Sequence, residues 1–374
     1  LYPTGTLPTA GSSTIANDAV QVTSTYLCEQ SEWQTFTAVP GMDGTFNLCF
    51  MWKNDGSAGS TPIAVDEVRI AHFSAPANPE NQCGDNLYWA YSNGTLTITG
   101  SGAMYDGNDL LTYHQQSWFP DEVTRVNLPN GLTHIGATAF ADCSNLTSIS
   151  IPSSVVSIGK AAFAWSGLQT LTLPEGVQDI DNMAFANCDH LTKFIYRGTP
   201  NELGNATTPM FLGCNQLDTI IAPARMWDCA EPDATVQEYY GFPSHIRYIE
   251  VTGGELSATN ISYMANSSRT LLTLDISSAS NNALPNQAFI NWTALETLRL
   301  PANLTEIPYQ MAYACENLKA IAIPPFVAVI GDEAFRGCSK LSSIDFADSQ
   351  NLYSIGQYAF AYCSALLSVE VPEG

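Results

Sequence analysis

The sequence predicts a mostly β protein: a solenoid of about ten turns with a parallel sheet, preceded by a small antiparallel β-sandwich-like domain. The first observation is a repeat, because IGATAF at 135–140 returns as IGKAAF at 158–163 with an Ile-Pro between them. The second is that residues 1–74 lack this period and alternate apolar and polar residues around Gly, Asp and Ser turns. The third is composition: 45% hydrophobic and 10% aromatic residues indicate a folded chain rather than a disordered one.

The first 74 residues carry the pattern of antiparallel strands, as in WQTFTAVPGMDGTFNLCFMW. We expect a β-sandwich over 1–74, shorter than such domains usually are, and a Pro/Asn-rich linker, APANPENQ, at 75–82. Cys28 and Cys49 both lie in this β-rich stretch and are the best candidates for a disulfide bond.

From residue 123 onward, one apolar marker position recurs at intervals of 22 to 29 residues. The marker residues are Phe140, Phe163, Phe185, Phe211, Tyr240, Met264, Phe289, Ala312, Phe335 and Phe360. Stacked turns must offer one another the same buried side chains, so we expect the Phe markers to fill the interior as a column of stacked rings. Tyr240, in a longer turn between Ala222 and Val251, is expected to fill the same position.

After most markers comes the pattern L-x-x-I-x-I, as in NLTSISIP, GLQTLTLP, ALETLRLP and NLKAIAIP. Its last three residues alternate inward and outward, which predicts one short parallel strand in each turn. The Pro that often follows ends the strand because it has no N–H to donate. The Gly of the later I-G pair is expected to allow a tight corner.

Six of the ten cysteines, Cys143, Cys188, Cys214, Cys315, Cys338 and Cys363, follow a marker by three residues. Small, fairly apolar thiols suit an internal column, so we expect buried free thiols there, although neighbouring turns would also permit some disulfides. Cys83 and Cys229 fit neither the column nor the front domain and stay unassigned.

The repeat A-F-x-x-C-x-x-L-x-x-I-x-I-P-x-x-V-x-x-I-G resembles the BspA-like leucine-rich repeats found on surface proteins of host-associated anaerobic bacteria. The stretch CGDNLYWAYSNGTLTITGSGAMYD at 83–106 resembles the β-hairpin cap that opens that solenoid. The resemblance implies a cap at 83–122 and leucine-rich repeats at 123–374. FMWKNDGS and PIAVDEVRI resemble the closing strands of jelly-roll domains on surface proteins of the same bacteria.

The charge balance excludes several partners. There are 13 Lys plus Arg against 36 Asp plus Glu, a net charge of -23, which repels nucleic acid and anionic membrane surfaces. The sequence contains no run of 18 apolar residues, which is about the length needed to span a bilayer. The absence of an initiator Met and of a leader at Leu1 leads us to expect a mature or trimmed product. With the resemblance, this implies a cell-surface or secreted protein, outer-membrane anchored through a removed N-terminal segment.

No constellation of residues indicates catalysis or a cofactor. The five histidines are scattered, and no P-loop, G-x-S-x-G or H-E-x-x-H motif occurs. Cysteine and histidine spacing does not match a zinc site. We therefore expect a non-enzymatic protein without metal or cofactor.

The outward strand positions are mostly small and nearly uncharged, so the sheet could accept a protein surface by shape at little desolvation cost. The alternative is that short side chains simply pack well in a parallel sheet. The exceptions become candidate ligand-binding residues: Lys193, Tyr248, Glu250 and Arg299 on the strands, with Trp227 and Tyr239 as aromatic anchors in the long turn.

Two functions remain. The first is an adhesin-like protein that binds a host or neighbouring-cell protein through the solenoid, and the resemblance implies host matrix components as partners. The alternative is a carbohydrate-binding protein that grips glycan through Trp33 or Trp52 of the front domain, with the solenoid as a spacer. The strand before the final VPEG has no polar turn after it, which predicts an open edge available for self-association.

Overall fold

The chain consists of two compact units, Leu1–Ala77 and Asn78–Gly374. The computed structural model describes residues 2–3, 46–47, 81–106, 120–203, 210–228, 242–346, 349 and 351–370.

In the first unit, β1 (Tyr2–Pro3) pairs antiparallel with β2 (Phe46–Asn47). The rest of the expected β-sandwich lies outside the described residues. So do Cys28, Cys49, Trp33 and Trp52. The sandwich, its disulfide and its glycan site therefore stay predictions.

The second unit is built from short strands, one helix and three 3₁₀ turns among its described residues. The 3₁₀ turns are Pro120–Glu122, Ala224–Trp227 and Ala265–Ser267, and the helix is α1 (Ala258–Met264). The strands are β3 (Gln82–Gly84), β4 (Leu87–Ser92), β5 (Thr95–Ala103), β6 (Arg125–Asn127), β7 (Gly131–Ile135), β8 (Ser157–Ile158), β9 (Thr170–Leu173), β10 (Asp179–Ile180), β11 (Lys193–Tyr196), β12 (Glu202–Leu203), β13 (Thr219–Ala222), β14 (Tyr248–Val251), β15 (Thr273–Asp275), β16 (Thr297–Arg299), β17 (Glu306–Ile307), β18 (Ala320–Ala322), β19 (Val329–Ile330), β20 (Ser343–Asp345) and β21 (Ser354–Ile355).

An antiparallel hairpin opens this unit. β3, β4 and β5 pair in sequence, and β4 turns into β5 through Asn93 and Gly94, whose φ angles are 48° and 77°. Two residues with positive φ make the tight turn that matches the twist of paired strands, and Asn-Gly suits it best. β5 then pairs in parallel with both β6 and β7, which joins the hairpin to the first turns of the repeat.

The parallel sheet predicted from L-x-x-I-x-I is confirmed. Its strands lie in the order β20-β18-β16-β15-β14-β13-β11-β9, one from each turn, and each pair is parallel. Along β9 the residues alternate between exposed and buried, with Leu171 and Leu173 inside. Other parts of the first and last turns form two further parallel arrays, β7-β8-β10-β12 and β17-β19-β21.

The sheet has eight strands, fewer than the expected ten or so. Residues 148–150 and 368–370, both expected as strands, are described but form none. At the first of these places a cleft of about 310 Å³ opens between Ile149–Ile151 and Thr172–Pro174, where the ladder is interrupted.

The predicted column of stacked rings is confirmed in the interior. Phe140 and Phe163 have centroids 5.4 Å apart, Phe163 and Phe185 6.0 Å, and Phe185 and Phe211 5.6 Å, all stacked. These four rings are 0–2% exposed. The remaining Phe markers are Phe289 and Phe335, both fully buried, and Phe360, which is partly buried and stacks on Phe335 at 5.5 Å.

The backbone forms a regular corner around the markers Phe140, Phe163, Phe185, Phe289, Ala312, Phe335 and Phe360. This corner is here called the corner segment and is defined as the residues from three before to three after the marker. Around Phe140, alternate N–H groups donate to the next turn: Thr138 to Lys160, Phe140 to Ala162, and Asp142 to Ala164, at 2.7–2.9 Å. The N–H groups between them donate within their own turn, as Ala141 does to Thr138. The backbone donors from Thr138 to Asp142 are thereby satisfied without a strand.

This alternation requires left-handed backbone at two positions of the corner segment, two residues before and two after the marker. Thr138 and Asp142 have φ of 58° and 60°, and Gln310 and Ala314 have 50° and 56°. Non-glycine residues rarely adopt such angles, and the hydrogen bonds to the next turn hold them there.

The glycine of the I-G pair has a different role from the expected one. Gly136 and Gly159 do not have positive φ. Instead, a Cβ at Gly159 would lie 2.5 Å from the backbone nitrogen of Ala137, and one at Gly136 would lie 2.1 Å from the carbonyl oxygen of Tyr105. The glycine is needed because the neighbouring turn approaches too closely for any side chain.

The six column cysteines are free and buried, as predicted, and so is Cys83. The thiol of Cys315 donates to the carbonyl of Phe289 at 3.1 Å, and that of Cys338 donates to the carbonyl of Ala312 at 3.1 Å. Cys188, Cys214 and Cys363 make the same bond to the marker of the preceding turn. The repeat position three residues after the marker thus takes a small side chain whose S–H group is a weak hydrogen-bond donor.

The long turn differs from its prediction. Tyr240 and Tyr239 lie outside the described residues, and Phe242 is the ring that packs on Phe211, at 5.5 Å. The next turn holds α1, which the repeat pattern did not predict. Its signal is a capping box, in which Ser257 and Asn260 each accept a hydrogen bond from the other's backbone N–H.

No helix in the described part of the chain is long and apolar enough to cross a membrane.

Replacing a buried marker should cost far more stability than replacing an exposed Phe. We expect Phe185→Ala to lower the free energy of unfolding by about 3–5 kcal/mol, because it leaves a cavity in the ring column. Phe326→Ala, at a 56% exposed position, is the control and should change it little. Chemical denaturation measures both, and equal losses would contradict the interior role of the column.

The column thiols should resist alkylation. Burial raises the pKa of Cys143 and of Cys315 to about 12. At about pH 8 the thiolate fraction is then roughly 1,000-fold below that of an ordinary thiol, and only the thiolate reacts. Pulse labelling with iodoacetamide and peptide mass spectrometry should leave both unmodified in the native protein and modify both in concentrated guanidinium chloride. Rapid native labelling would refute the burial.

Candidate binding surface on the parallel sheet

The strand register places outward side chains in two straight columns on one face of the sheet. The first column is Thr170, Lys193, Thr219, Tyr248, Thr273, Thr297, Ala320 and Ser343. The second column comprises the residues two positions later: Thr172, Ile195, Ile221, Glu250, Asp275, Arg299, Ala322 and Asp345. These two columns are here called the sheet face. Most members are small or uncharged, as the sequence indicated.

Glu250 is the anchor of a polar network in the middle of this face. Its Oε1 lies 2.9 Å from Nη1 of Arg197, which reaches across β13 from the end of β11. Its Oε2 accepts a hydrogen bond from the hydroxyl of Tyr248 at 3.2 Å. Both carboxylate oxygens are therefore engaged, and the tyrosine ring is fixed on the face.

Asp275 is the second anchor, next to Glu250 in the same column. Its Oδ2 lies 2.8 Å from Nη1 of Arg299, one strand further along. Its Oδ1 accepts from the hydroxyl of Ser277 at 2.6 Å and from the Ser277 backbone N–H at 3.1 Å. The aspartate side chain is 12% exposed while that of Arg299 is 61% exposed, so the guanidinium projects from a buried carboxylate.

These contacts shift the protonation equilibria. Burial alone would raise the pKa of Asp275, but hydrogen bonds from Ser277 and Arg299 hold it below its usual value. Burial and the neighbouring Glu250 carboxylate raise the pKa of Tyr248. At neutral pH Asp275 is therefore ionised and Tyr248 is a neutral phenol.

The structure brings Tyr248, Glu250 and Arg299 together within three adjacent strands. Lys193 lies on the same face, on β11, with β13 between it and β14. Trp227 requires a correction: it is 1% exposed and stacks on Phe242 at 5.3 Å, so it belongs to the core and not to the surface.

Three polar members of the network were not singled out from the sequence: Arg197, Asp275 and Ser277. Glu250, Asp275 and Arg299 occupy the same repeat position in consecutive turns, and three charged residues in succession at one position were the available signal. The sequence carried no such signal for Arg197. This residue lies one position after the end of β11, and only the folding of the chain brings it close to Glu250.

The described residues offer no group of three or more His, Cys, Asp or Glu side chains arranged to hold a metal ion. The arrangement on the sheet face is suited to recognition, since it offers fixed hydrogen-bond donors in a flat, mostly uncharged surround.

Comparison with known proteins agrees with the repeat analysis. The family model described as BspA type leucine rich repeat region matches in six copies, over residues 115–228 and 259–374. No curated protein sequence matches the chain.

Three solved structures are similar to the chain at low identity. A leucine-rich repeat protein from Bacteroides ovatus is 19% identical, covering 76% of this chain and 93% of its own, with a TM-score of 0.29. One from Eubacterium ventriosum is 19% identical, covering 78% and 90%, with a TM-score of 0.32. A leucine rich cell surface protein from Faecalibacterium prausnitzii is 18% identical, covering 84% and 100%, with a TM-score of 0.21. At these TM-scores the likenesses support no statement about function.

Removing the charge of Asp275 should lower stability in a pH-dependent way. Because its pKa is depressed in the folded state, its contribution is present above the unfolded pKa of about 3.9 and lost as pH falls below it. We expect Asp275→Asn to destabilise by about 1 kcal/mol at neutral pH, since the exposed Arg299 limits the value of the pair. Urea unfolding at neutral pH and at about pH 3 should show a smaller difference at the acidic pH.

The matched control is Glu316→Gln, at an exposed position outside the sheet face. It should leave the unfolding midpoint nearly unchanged at both pH values. An Asp275→Asn midpoint that matches the wild type at neutral pH would rule out the stabilising network.

Proposed function

The chain belongs to the BspA-type leucine-rich repeat family, and on this premise we propose that it binds another protein through the sheet face. Leucine-rich repeat folds generally bind proteins, and BspA-type repeat proteins are typically surface or secreted and not typically enzymes. The proposal extends this to a non-enzymatic, adhesin-like protein of a bacterial cell surface, anchored to the outer membrane, whose partner is a host matrix protein or a protein of a neighbouring cell.

The proposal rests on the polar network at the centre of a sheet face whose other residues are mostly uncharged. Seven steps of about 4.8 Å along eight strands give a face about 34 Å long, comparable in length to one side of an ordinary protein interface. Beyond Arg299 the small side chains of Ala320, Ala322 and Ser343 let a partner approach closely. The network lies at the centre of the face, where a docked partner would exclude water and so strengthen its hydrogen bonds.

Arg299 has hydrogen-bond donors available for a partner. Only Nη1 is engaged by Asp275, and the side chain is 61% exposed, so other donors of its planar fork point outward. Asp275 and Ser277 hold it in place before binding, which lowers the entropy lost when a partner docks. Arginine and tyrosine are also the residue types that most often dominate binding energy.

A binding measurement on surface-immobilised fibronectin, laminin and collagen, by biolayer interferometry, tests this proposal. We expect saturable binding of the full chain to at least one of them, weakened about tenfold or more by Arg299→Lys, because lysine keeps the charge beside Asp275 and loses the fork. Tyr248→Phe should also weaken binding, by removing the hydroxyl that engages Glu250.

The control is Arg269→Lys, an exposed arginine outside the sheet face. It should bind like the wild type. Binding that is unaffected by Arg299→Lys and Tyr248→Phe would place the contact elsewhere and reject the sheet face.

A further inference from the structure

The backbone ladder of the solenoid is interrupted beside β9, between residues 148–151 and Thr170–Leu173. The N–H of Gln169 donates to the carbonyl of Thr147 at 3.1 Å, and the next backbone bond between these two turns is from Gln178 to Val156 at 2.7 Å. Both turns belong to the described part of the chain, and no backbone hydrogen bond joins them between these two points. β9 is therefore paired on one side only, with β11.

Residues 148–151 stand at a strand position of the repeat, but they make no hydrogen bond with any described residue. A later turn shows the usual arrangement, in which the N–H of Ile323 donates to the carbonyl of Asp345 in the next turn at 2.8 Å. Ile151 has the same repeat position as Ile323 and makes no such bond. Two neighbouring backbone segments thus face each other with unpaired donors and acceptors.

The cleft of about 310 Å³ described above lies at this interruption. Its floor reaches the core, since Ile151 and Leu173 are 9% and 3% exposed. Its rim carries exposed hydroxyl groups, among them that of Thr172, which is a member of the sheet face. Further turns of the repeat lie on both sides of the cleft, so it belongs to the middle of the array and not to an end of the chain. The lining residues are Ile149–Ile151, Ser153 and Thr172–Pro174.

This lining excludes several classes of ligand. It contains no charged residue, so an ionic ligand would lose its hydration without gaining a counter-charge. It contains no aromatic residue on which a sugar or a nucleobase could stack. What the cleft offers is N–H and C=O groups at strand spacing on both walls. The ligand that matches them alternates donors and acceptors at the same spacing, as an extended peptide does.

The dimensions of the cleft set the length of such a peptide. Each wall is three residues long, about 10 Å, so the cleft holds about three residues of an extended segment. Successive side chains of an extended segment point to opposite sides. Every second side chain would therefore meet the apolar floor, and the ones between would meet solvent and the hydroxyl groups of the rim.

We propose that this cleft binds an extended, uncharged peptide segment that pairs with the backbone of Ile149–Ile151 and of Thr172 and inserts an apolar side chain between Ile149 and Leu173. The proposal rests on the proposed function, because the segment belongs to the protein partner, and it names the form in which part of that partner is bound. Arg299 lies five strands away from β9, about 24 Å along the sheet, so the two contacts can be tested separately.

Selection from a phage-displayed library of random dodecapeptides on the immobilised full chain tests the proposal. We expect enrichment of peptides that contain an uncharged stretch with alternating apolar residues. Their synthetic forms should bind in fluorescence polarisation with an affinity that is insensitive to added salt, because no ion pair forms. Ser150→Arg and Thr172→Arg place a long charged side chain at the rim, and each should weaken binding about tenfold or more.

Hydrogen–deuterium exchange of the same complexes reports the backbone pairing directly. The amides of Ile149–Ile151 should exchange rapidly in the free chain, because they make no hydrogen bond, and should slow about tenfold or more when a peptide is bound. The amides of β11, which is paired on both sides, are the internal reference and should not change. A contact made by side chains alone would leave the exchange of Ile149–Ile151 unaltered.

The matched control is Ser343→Arg, which makes the same change at an exposed position of the sheet face at the opposite end of the sheet. It should bind the selected peptides like the wild type, and so should Arg299→Lys. Urea unfolding midpoints confirm that the variants remain folded.

Four outcomes would overturn the proposal: no enriched peptide, peptide binding that added salt abolishes, equal losses with Ser343→Arg and Thr172→Arg, or bound peptides that leave the amides of Ile149–Ile151 unprotected. Peptide binding in the cleft without binding of any matrix protein would reject the proposed partners alone. Matrix-protein binding that Arg299→Lys weakens, without peptide selection or amide protection, would reject the cleft alone.

Discussion

Backbone hydrogen bonding between successive turns is the constraint on which the rest of the repeat unit depends. At the corner segment, alternate N–H groups such as those of Phe140 and Asp142 donate to the next turn, and the groups between them donate within their own. This alternation imposes left-handed backbone at two positions and brings the turns close enough that Gly159 tolerates no side chain. The cysteine thiols add a second hydrogen bond to marker carbonyls, as Cys315 does to Phe289, whose carbonyl also accepts from the backbone N–H of Trp292.

Because the interior is fixed by this stacking, chemical variety is confined to outward positions that repeat in columns. On the sheet face, consecutive turns place Glu250, Asp275 and Arg299 side by side, so charges on different turns pair with one another. On the corner segments, the same principle aligns Arg336 between tyrosines of the turns before and after it. A solenoid builds a recognition surface by changing one residue in each turn while the backbone stays the same.

The regular stacking is interrupted in the middle of the unit. The array that contains β12 and the array that contains β17 are separate sheets, and α1 lies between them along the chain. In α1, Ser257 caps the helix and Met264 is buried at its end. Meanwhile the main sheet continues without a break from β13 to β15. The sheet face therefore keeps its register across a region where the opposite side changes its structure.

The sequence by itself determined the repeat, the parallel sheet, the ring column and the buried thiols, because each follows from residue spacing along a single turn. It also identified Tyr248, Glu250 and Arg299 as exceptions among small outward residues. Only the tertiary structure decided what those residues contact. The pairing of Arg197 with Glu250 spans 53 residues, and the burial of Trp227 against Phe242 depends on how an irregular turn packs. Periodicity specifies the position of a side chain within its turn, whereas its partners depend on which side chains the stacking of turns brings together.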